Sequence, residues 1–454
     1  MIAETSGRRQ RIAVIGTGIS GLSAAWLLHK SADVTVYEQS QRIGGHTHTV
    51  DVLNGTGSTP VDMGFIVYNE QAYPNLTALF AHLDVATQTT DMSLAVSYDN
   101  GRFEYAGGHL SQLFAQKRNL IRPRFWSMLR DLVRFYRTSP AHLDALATNG
   151  KTLGAYLDEN RYGDAFRDDH LLPMAAAIWS MPTSDVLEYP AHAFLQFHDN
   201  HGLLKLTNRP LWRTVTGGSR SYVKKLTASF ADRIRCGVGI VSVDRRSDGV
   251  LLRTGKGESE QYDQVVIATQ ANQALEMLAD PTLGECHLLG SFRYNSNQAV
   301  LHGDESLMPK RRRAWASWNF IGNSEQGARA DLTVTYWMNS LQALPSDKPL
   351  FVTLNPNREI DRDKIYHAQA FEHPIVDTAA INAQKQLWSL QGQCGVWFCG
   401  AYFGAGFHED GLQSGLAVAE AISGRKRPWR VANESRRIHV RPERQMSALE
   451  GAAA

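Results

Sequence analysis

Six residues near the N-terminus, Gly16-Thr-Gly-Ile-Ser-Gly21, restrict this chain more than any other stretch. They follow the β-branched run Arg11-Ile-Ala-Val-Ile15, which reads as a strand, and lead into Leu22-Ser-Ala-Ala-Trp-Leu-Leu28, whose apolar spacing predicts a helix. In a strand, turn and helix of this kind Gly16 permits the tight turn, Gly18 lets backbone approach a pyrophosphate, and Gly21 lets the helix pack closely. The amides of Ile19 and Ser20 then lie at the positive end of the helix dipole. Such a glycine pattern alone is common, so its context decides. A second strand, Asp33-Val-Thr-Val-Tyr-Glu38, ends in a carboxylate at the separation expected for an acid on ribose hydroxyls. Outside such a site Glu38 would be an ordinary solvated charge.

After Glu38 comes Gln39-Ser-Gln-Arg42-Ile-Gly44-Gly45-His46-Thr47. Arg42 offers a positive fork beside a diphosphate, and Gly44 and Gly45 admit backbone amides where a Cβ would clash. The segment resembles the extended glycine-rich motif of the flavin monoamine oxidase, phytoene desaturase and protoporphyrinogen oxidase superfamily, which ordinary dehydrogenases lack. The resemblance implies an α/β fold, with a Rossmann-like FAD-binding domain of the GR2, amine-oxidase-like type and an inserted α+β substrate domain. It also implies non-covalent FAD, with Gln39, His46, Thr47, Gly64 and Phe65 beside the cofactor.

Later segments fit the same pattern. Arg235–Val243, Val250–Arg253 and Tyr262–Thr269 read as strands, and by the resemblance the backbone of Val238 faces the adenine edge while Ala268 and Thr269 pass close to the cofactor. Near the end, Gly395-Val-Trp-Phe-Cys-Gly400 reads as a strand, and Gly411-Leu-Gln-Ser-Gly415 opens a helix. The resemblance puts Gly400, Gly411, Leu412 and Ser414 at the flavin, where a helix N-terminus favours the anionic character of the reduced ring. Because the motifs lie at both ends and in the middle, the flavin domain is expected from residues 1–100, 205–290 and 385–454. The substrate domain is expected from 101–204 and 291–384. The tail beyond Arg430 reads as a poorly ordered end.

The 454 residues, 43% hydrophobic and 20% charged, exclude disorder and supply enough apolar surface for two packed units. A formal net charge of +2 projects no strong field toward nucleic acid, which is not an expected partner. The polar, basic first residues are unlike a signal segment, and no apolar run has the length of a membrane span. Cys236, Cys286, Cys394 and Cys399 form neither a C-x-x-C pair nor a metal pattern, so they read as buried small hydrophobes in a reduced, cytoplasmic protein without a metal.

Four segments, Gly45–Thr49, Val61–Tyr68, Ala314–Asn319 and Gly404–Asp410, are similar to bacterial FAD-binding proteins that accompany cyclopropane-fatty-acid-synthase-like methyltransferases. That resemblance implies desaturation or isomerisation of a fatty acyl chain. The stretch 117–137 interleaves seven basic residues with Phe125, Trp126, Phe135 and Tyr136. It is either a basic face that docks on anionic membrane, making the protein peripheral, or a core-packing helix with a solvated side. Lys310-Arg-Arg-Arg313 reads as a charged loop. Trp179, Phe197, His201, Tyr402 and Phe407 are the expected lining for a small hydrophobic substrate, with simple core packing as the alternative.

Hydride transfer is the flavin's own chemistry, and the protein adds position, exclusion of water and a place for a proton. His408, then Glu409, are the expected proton-handling residues, against the alternative that His408, Glu409 and Asp410 only cap the helix. The stretch Asn297–Asp304 lacks the lysine that amine oxidases of the superfamily carry near the flavin, and His302 is not assumed to replace it. An oxidase of amines or amino acids and a flavin-bearing assembly protein stay open as alternatives.

Overall fold

The computed structural model of the protein describes residues 8–55, 57–179, 183–323, 333–345, 347–432 and 434–440. The run Arg11–Ile15 is the middle strand of a five-stranded sheet ordered Ile234–Cys236, Asp33–Glu38, Arg11–Ile15, Gln264–Ile267, Val396–Phe398, with every pair parallel. Val14 pairs with Val36 on one side and Val266 on the other, all fully buried, which is why these strands read as continuous apolar runs rather than alternating ones. The helix Ile19–Leu28 is buried at every position, held between this sheet and the C-terminal helix His408–Ser423. The two helices meet backbone to backbone, since a Cβ on Gly415 would come within 2.1 Å of the Ser20 carbonyl oxygen.

A seven-stranded sheet, mostly antiparallel, forms the second unit, ordered Ile365–Ile375, Arg293–His302, Phe351–Leu354, Thr333–Trp337, Trp318–Gly322, Leu94–Tyr98, Phe103–Ala106. Leu94–Tyr98, expected within the first flavin-domain segment, pairs instead with Trp318–Gly322, so the crossing into the second sheet comes before residue 100. Helices between Pro123 and Asn200 cover it with a separate apolar cluster that includes Phe135, Phe166 and Phe194.

Within 117–137 the helix Pro123–Thr138 buries Phe125, Met128, Phe135 and Tyr136 and leaves Trp126 half exposed. No helix among the described residues is long and apolar enough to cross a membrane. Two expectations need correction. Cys236, Cys286 and Cys394 are exposed, and only Cys399 is buried. The chain beyond Arg430 is anchored as far as Ile438, which is buried in the apolar core around the parallel sheet, and Arg437 reaches Asp410 at 3.5 Å. Residues 441–454 lie outside the described part.

Candidate active site

The glycine loops converge at the C-terminal edge of the parallel sheet. Gly16 has φ +101°, and a Cβ there would meet the Ala268 carbonyl oxygen at 2.9 Å and the Thr269 Cγ2 at 3.5 Å. Gly44 donates its amide to the Thr17 carbonyl at 3.1 Å, and a Cβ on Gly45 would lie 3.1 Å from the Gly18 Cα. Gly400 lies beside Thr269, Gly411 packs against Ile19, and Gly21 packs against Gly16. Ser414 ties its helix to this edge through hydrogen bonds of 3.0 Å with both the Gly400 amide and carbonyl. Gly18 differs from these glycines, for a Cβ added there meets nothing within 4 Å. Gly18 caps the first helix without any side-chain hydrogen bond, so the sheet edge presents open space in front of first-turn amides.

Three residues assigned to the cofactor have partners that sequence did not anticipate. The Glu38 carboxylate takes the Thr17 amide (3.1 Å) and hydroxyl and the Ser40 amide (2.9 Å), which hold it against the first glycine turn. Arg42 turns its guanidinium inward onto the carbonyls of Gly45 (2.9 Å) and Thr47 (3.0 Å), bracing the second loop rather than standing free as a fork. The Val238 amide donates to the Glu38 carbonyl at 2.9 Å, which leaves only its carbonyl for an adenine edge. Gln39 touches Gly239 from the exposed side, and Leu412 is core. Gly64 fits against the His46 carbonyl, which accepts the Phe65 amide at 2.9 Å.

His408 stacks on Phe65 with ring centroids 3.9 Å apart and 11° between planes. Its Nε2 lies 2.6 Å from the Tyr222 hydroxyl and 3.5 Å from Thr47 Oγ1, and Tyr222 and Thr47 are themselves 2.6 Å apart. Burial first, then neighbouring His46, pushes the His408 imidazole down to about 3, so the ring is neutral. His46 in turn packs on Phe371 and His373, and burial also holds His373 down, to about 3.

Glu409 is not free to move a proton. Its carboxylate is wholly buried and accepts from the amides of Asn75 (3.0 Å) and Leu76 (2.9 Å) and from the side chains of Asn75 and Gln413 (both 2.9 Å). Asn75 and Leu76 open the helix Pro74–His82, so Glu409 caps a neighbouring helix rather than its own. Asp410 does cap its own, taking the Phe407 amide at 2.8 Å. The capping alternative therefore holds for Asp410, while Glu409 caps a helix other than the one expected.

Four of the five expected pocket residues come together. Phe197 stacks on His201 (4.0 Å) and Phe407 (4.7 Å) and packs on Trp179 (4.7 Å). Tyr402 does not join them; it is buried against Phe292 and Phe403 in the core beneath the parallel sheet. Gly400 lies against this ring, where a Cβ would collide with it.

A family model described as flavin containing amine oxidoreductase matches residues 19–311. The chain belongs to this family. Human amine oxidase [flavin-containing] B is 23% identical over 280 residues, 60% of this chain and 52% of that protein, so the match spans about half the length of the curated relatives. Among solved structures, cyclohexylamine oxidase from Brevibacterium oxydans has TM-score 0.64 at 17% identity, and a CLA-producing fatty acid isomerase from P. acnes has TM-score 0.64 at 15%. Each comparison covers 92% of this chain and 99% of the other, and shows a shared fold.

Membership in the flavin containing amine oxidoreductases implies FAD as the cofactor, and the cradle fits a dinucleotide. Open space at Gly18 in front of free amides, with the second glycine loop folded over it, suits a pyrophosphate. Sequence reading missed several residues of this site: Tyr222, His373 and the buried Asp62. Asp62 accepts the Ser219 amide at 2.9 Å and the Gln342 side chain at 2.9 Å, joining the two units. Gly217-Gly218 before the helix Arg220–Thr227 was a readable signal, with positive φ at both residues. His373 carried none, since it lies mid-strand on Ile365–Ile375.

Proposed function

We propose that this FAD-dependent oxidoreductase exchanges a hydride with a hydrophobic substrate, of the class of fatty acyl chains, in a desaturation or double-bond isomerisation. One observation carries the reading: the aromatic wall of Trp179, Phe197, His201 and Phe407 ends at the residue preceding His408, so apolar lining and titratable ring adjoin. The two carboxylates beside His408 are committed, Glu409 to the helix Pro74–His82 and Asp410 to Phe407 and Arg437, so neither offers a counter-charge for an ammonium substrate. Burial depresses His201 well below its usual value, which keeps that wall uncharged. Such a surface favours a neutral chain.

FAD when bound supplies the two-electron, one-hydride exchange. The chain's own contribution is to position and to move a proton. Tyr222 and His408 are both neutral, burial raising the phenol and lowering the imidazole. Held neutral, His408 keeps a lone pair that can take a proton, and the Tyr222 hydroxyl, 2.6 Å from Nε2, fixes the ring that carries it. Thr47 Oγ1 hydrogen-bonds the same Tyr222 hydroxyl at 2.6 Å and completes the cluster with His408.

Anaerobic mixing of the purified flavoprotein with free long-chain fatty acids, with a bacterial lipid extract and with a panel of amines tests this, read as bleaching of the flavin absorbance or as double-bond shift in the recovered lipid. Change with lipid and none with amines is expected. Bleaching by amines alone, with hydrogen peroxide released in air, would replace the acyl reading by an amine oxidase.

A further inference from the structure

On another face, cations without acidic partners collect around exposed aliphatic side chains. The turn Lys117–Ile121 lies against the turn Arg312–Ala314, so that Lys117 and Arg118 face Arg312 and Arg313 across a shallow hollow of about 640 Å³. Two segments read separately in the sequence thus make one patch. Arg311 is spent on buried Glu104 (2.8 Å), and Arg312 reaches Glu305 (3.4 Å). Among the described residues Lys117, Arg118, Arg122 and Arg313 have no acid within ion-pair distance. Burial, then the nearby guanidiniums of Arg118, Arg102 and Arg311, lowers the Arg122 pKa, as expected where like charges face each other.

Beside these cations stand Ile121, 80% exposed, Leu120 and half-exposed Trp126. Trp126 is fixed by donating its indole N–H to the Leu120 carbonyl at 2.9 Å. Exposed apolar groups ringed by cations match a boundary that is anionic outside and hydrocarbon within. Nucleic acid offers the charge but no partner for Ile121 or Leu120. Two later arginines of the helix Pro123–Thr138 serve other ends: Arg130 and Arg134 reach Asp131 at 3.4 Å, and Arg134 also donates to the carbonyls of Asn160 and Arg161.

We propose that this face docks on an anionic phospholipid bilayer, with Lys117, Arg118 and Arg313 on headgroups and Leu120, Ile121 and Trp126 at the acyl boundary. The docking surface goes beyond the proposed reaction and stands without it, because a soluble substrate would leave the patch intact.

The experiment is co-sedimentation of the full-length FAD-loaded protein with phosphatidylcholine vesicles that contain or lack phosphatidylglycerol. Binding only to the anionic vesicles, reversed by salt, is expected. The variant Lys117→Glu/Arg118→Glu/Arg313→Glu should lose at least about tenfold in binding, each cation contributing several-fold. Ile121→Asp should weaken binding as well. All these side chains are exposed, so flavin absorbance and Tm should match the parent and report intact folding. A folded, yellow triple variant that binds as the parent does, equal binding to neutral vesicles, or binding to RNA without binding to vesicles would each overturn the proposal.

Discussion

His408 and Tyr222 share a hydrogen bond of 2.6 Å beside the ring of Phe65, on which His408 stacks. If this pair moves the proton, His408→Gln and Tyr222→Phe should each slow the reductive half-reaction roughly a hundredfold or more while FAD stays bound. Stopped-flow bleaching with a reactive substrate measures it. Parental rates in both variants would assign the pair to packing.

Glu409→Ala should act on stability instead. Removal of the carboxylate leaves the amides of Asn75 and Leu76 buried without an acceptor, and the expected loss is about 3–5 kcal/mol. Denaturant unfolding followed by circular dichroism reads this directly. The His408 variants should unfold near the parental midpoint, so the two neighbours separate by observable.

Gly18→Val and Gly415→Val form a second contrast. A Cβ on Gly18 enters open space, so this variant should fold and emerge colourless, its branch standing where a pyrophosphate must lie. A Cβ on Gly415 would sit 2.1 Å from the Ser20 carbonyl, so that variant should fail to fold. A yellow, fully loaded Gly18→Val protein would refute the cradle.

Acid should destabilise the fold through its histidines. Burial lowers His170, His198 and His302 to about 4 each, so the native state keeps them neutral while the unfolded chain protonates them below its ordinary value of 6.5. Their stabilisation is complete above pH 6.5 and is lost as pH falls toward 4. The slope is at most about 1.4 kcal/mol per pH unit for each ring. Asp62, which burial raises to about 6, works in the opposite sense and offsets one of them between pH 3.8 and 6. Tm recorded across that range should fall with acidification; a flat profile would mean that water reaches these rings.

The glycine loops were legible because a backbone that must pack directly on a neighbouring segment tolerates almost no other residue, and Gly16, Gly21, Gly44 and Gly411 all make such approaches. Arg42 and Glu409 were legible as charges but not as braces, for their partners are backbone groups, and no side-chain pattern announces a carbonyl or an amide. Tyr402 was misplaced because an aromatic beside a glycine turn looks the same in sequence whether it points to a pocket or to the core. The joining of Lys117–Arg118 with Arg312–Arg313 depends on contact between residues nearly two hundred positions apart, which one sequence does not encode locally.

The parallel sheet also has a consequence for biosynthesis. Its first two strands are translated by residue 38, yet the neighbour Gln264–Ile267 and the edge strand Val396–Phe398 come far later. At roughly 5–20 residues per second the nascent chain carries those apolar strands half-paired for tens of seconds. The helix that seals the cradle emerges last of the packed helices. Any cofactor capture that needs this helix therefore waits until residue 423 has been made, and until then the early strands stand without the seal it provides.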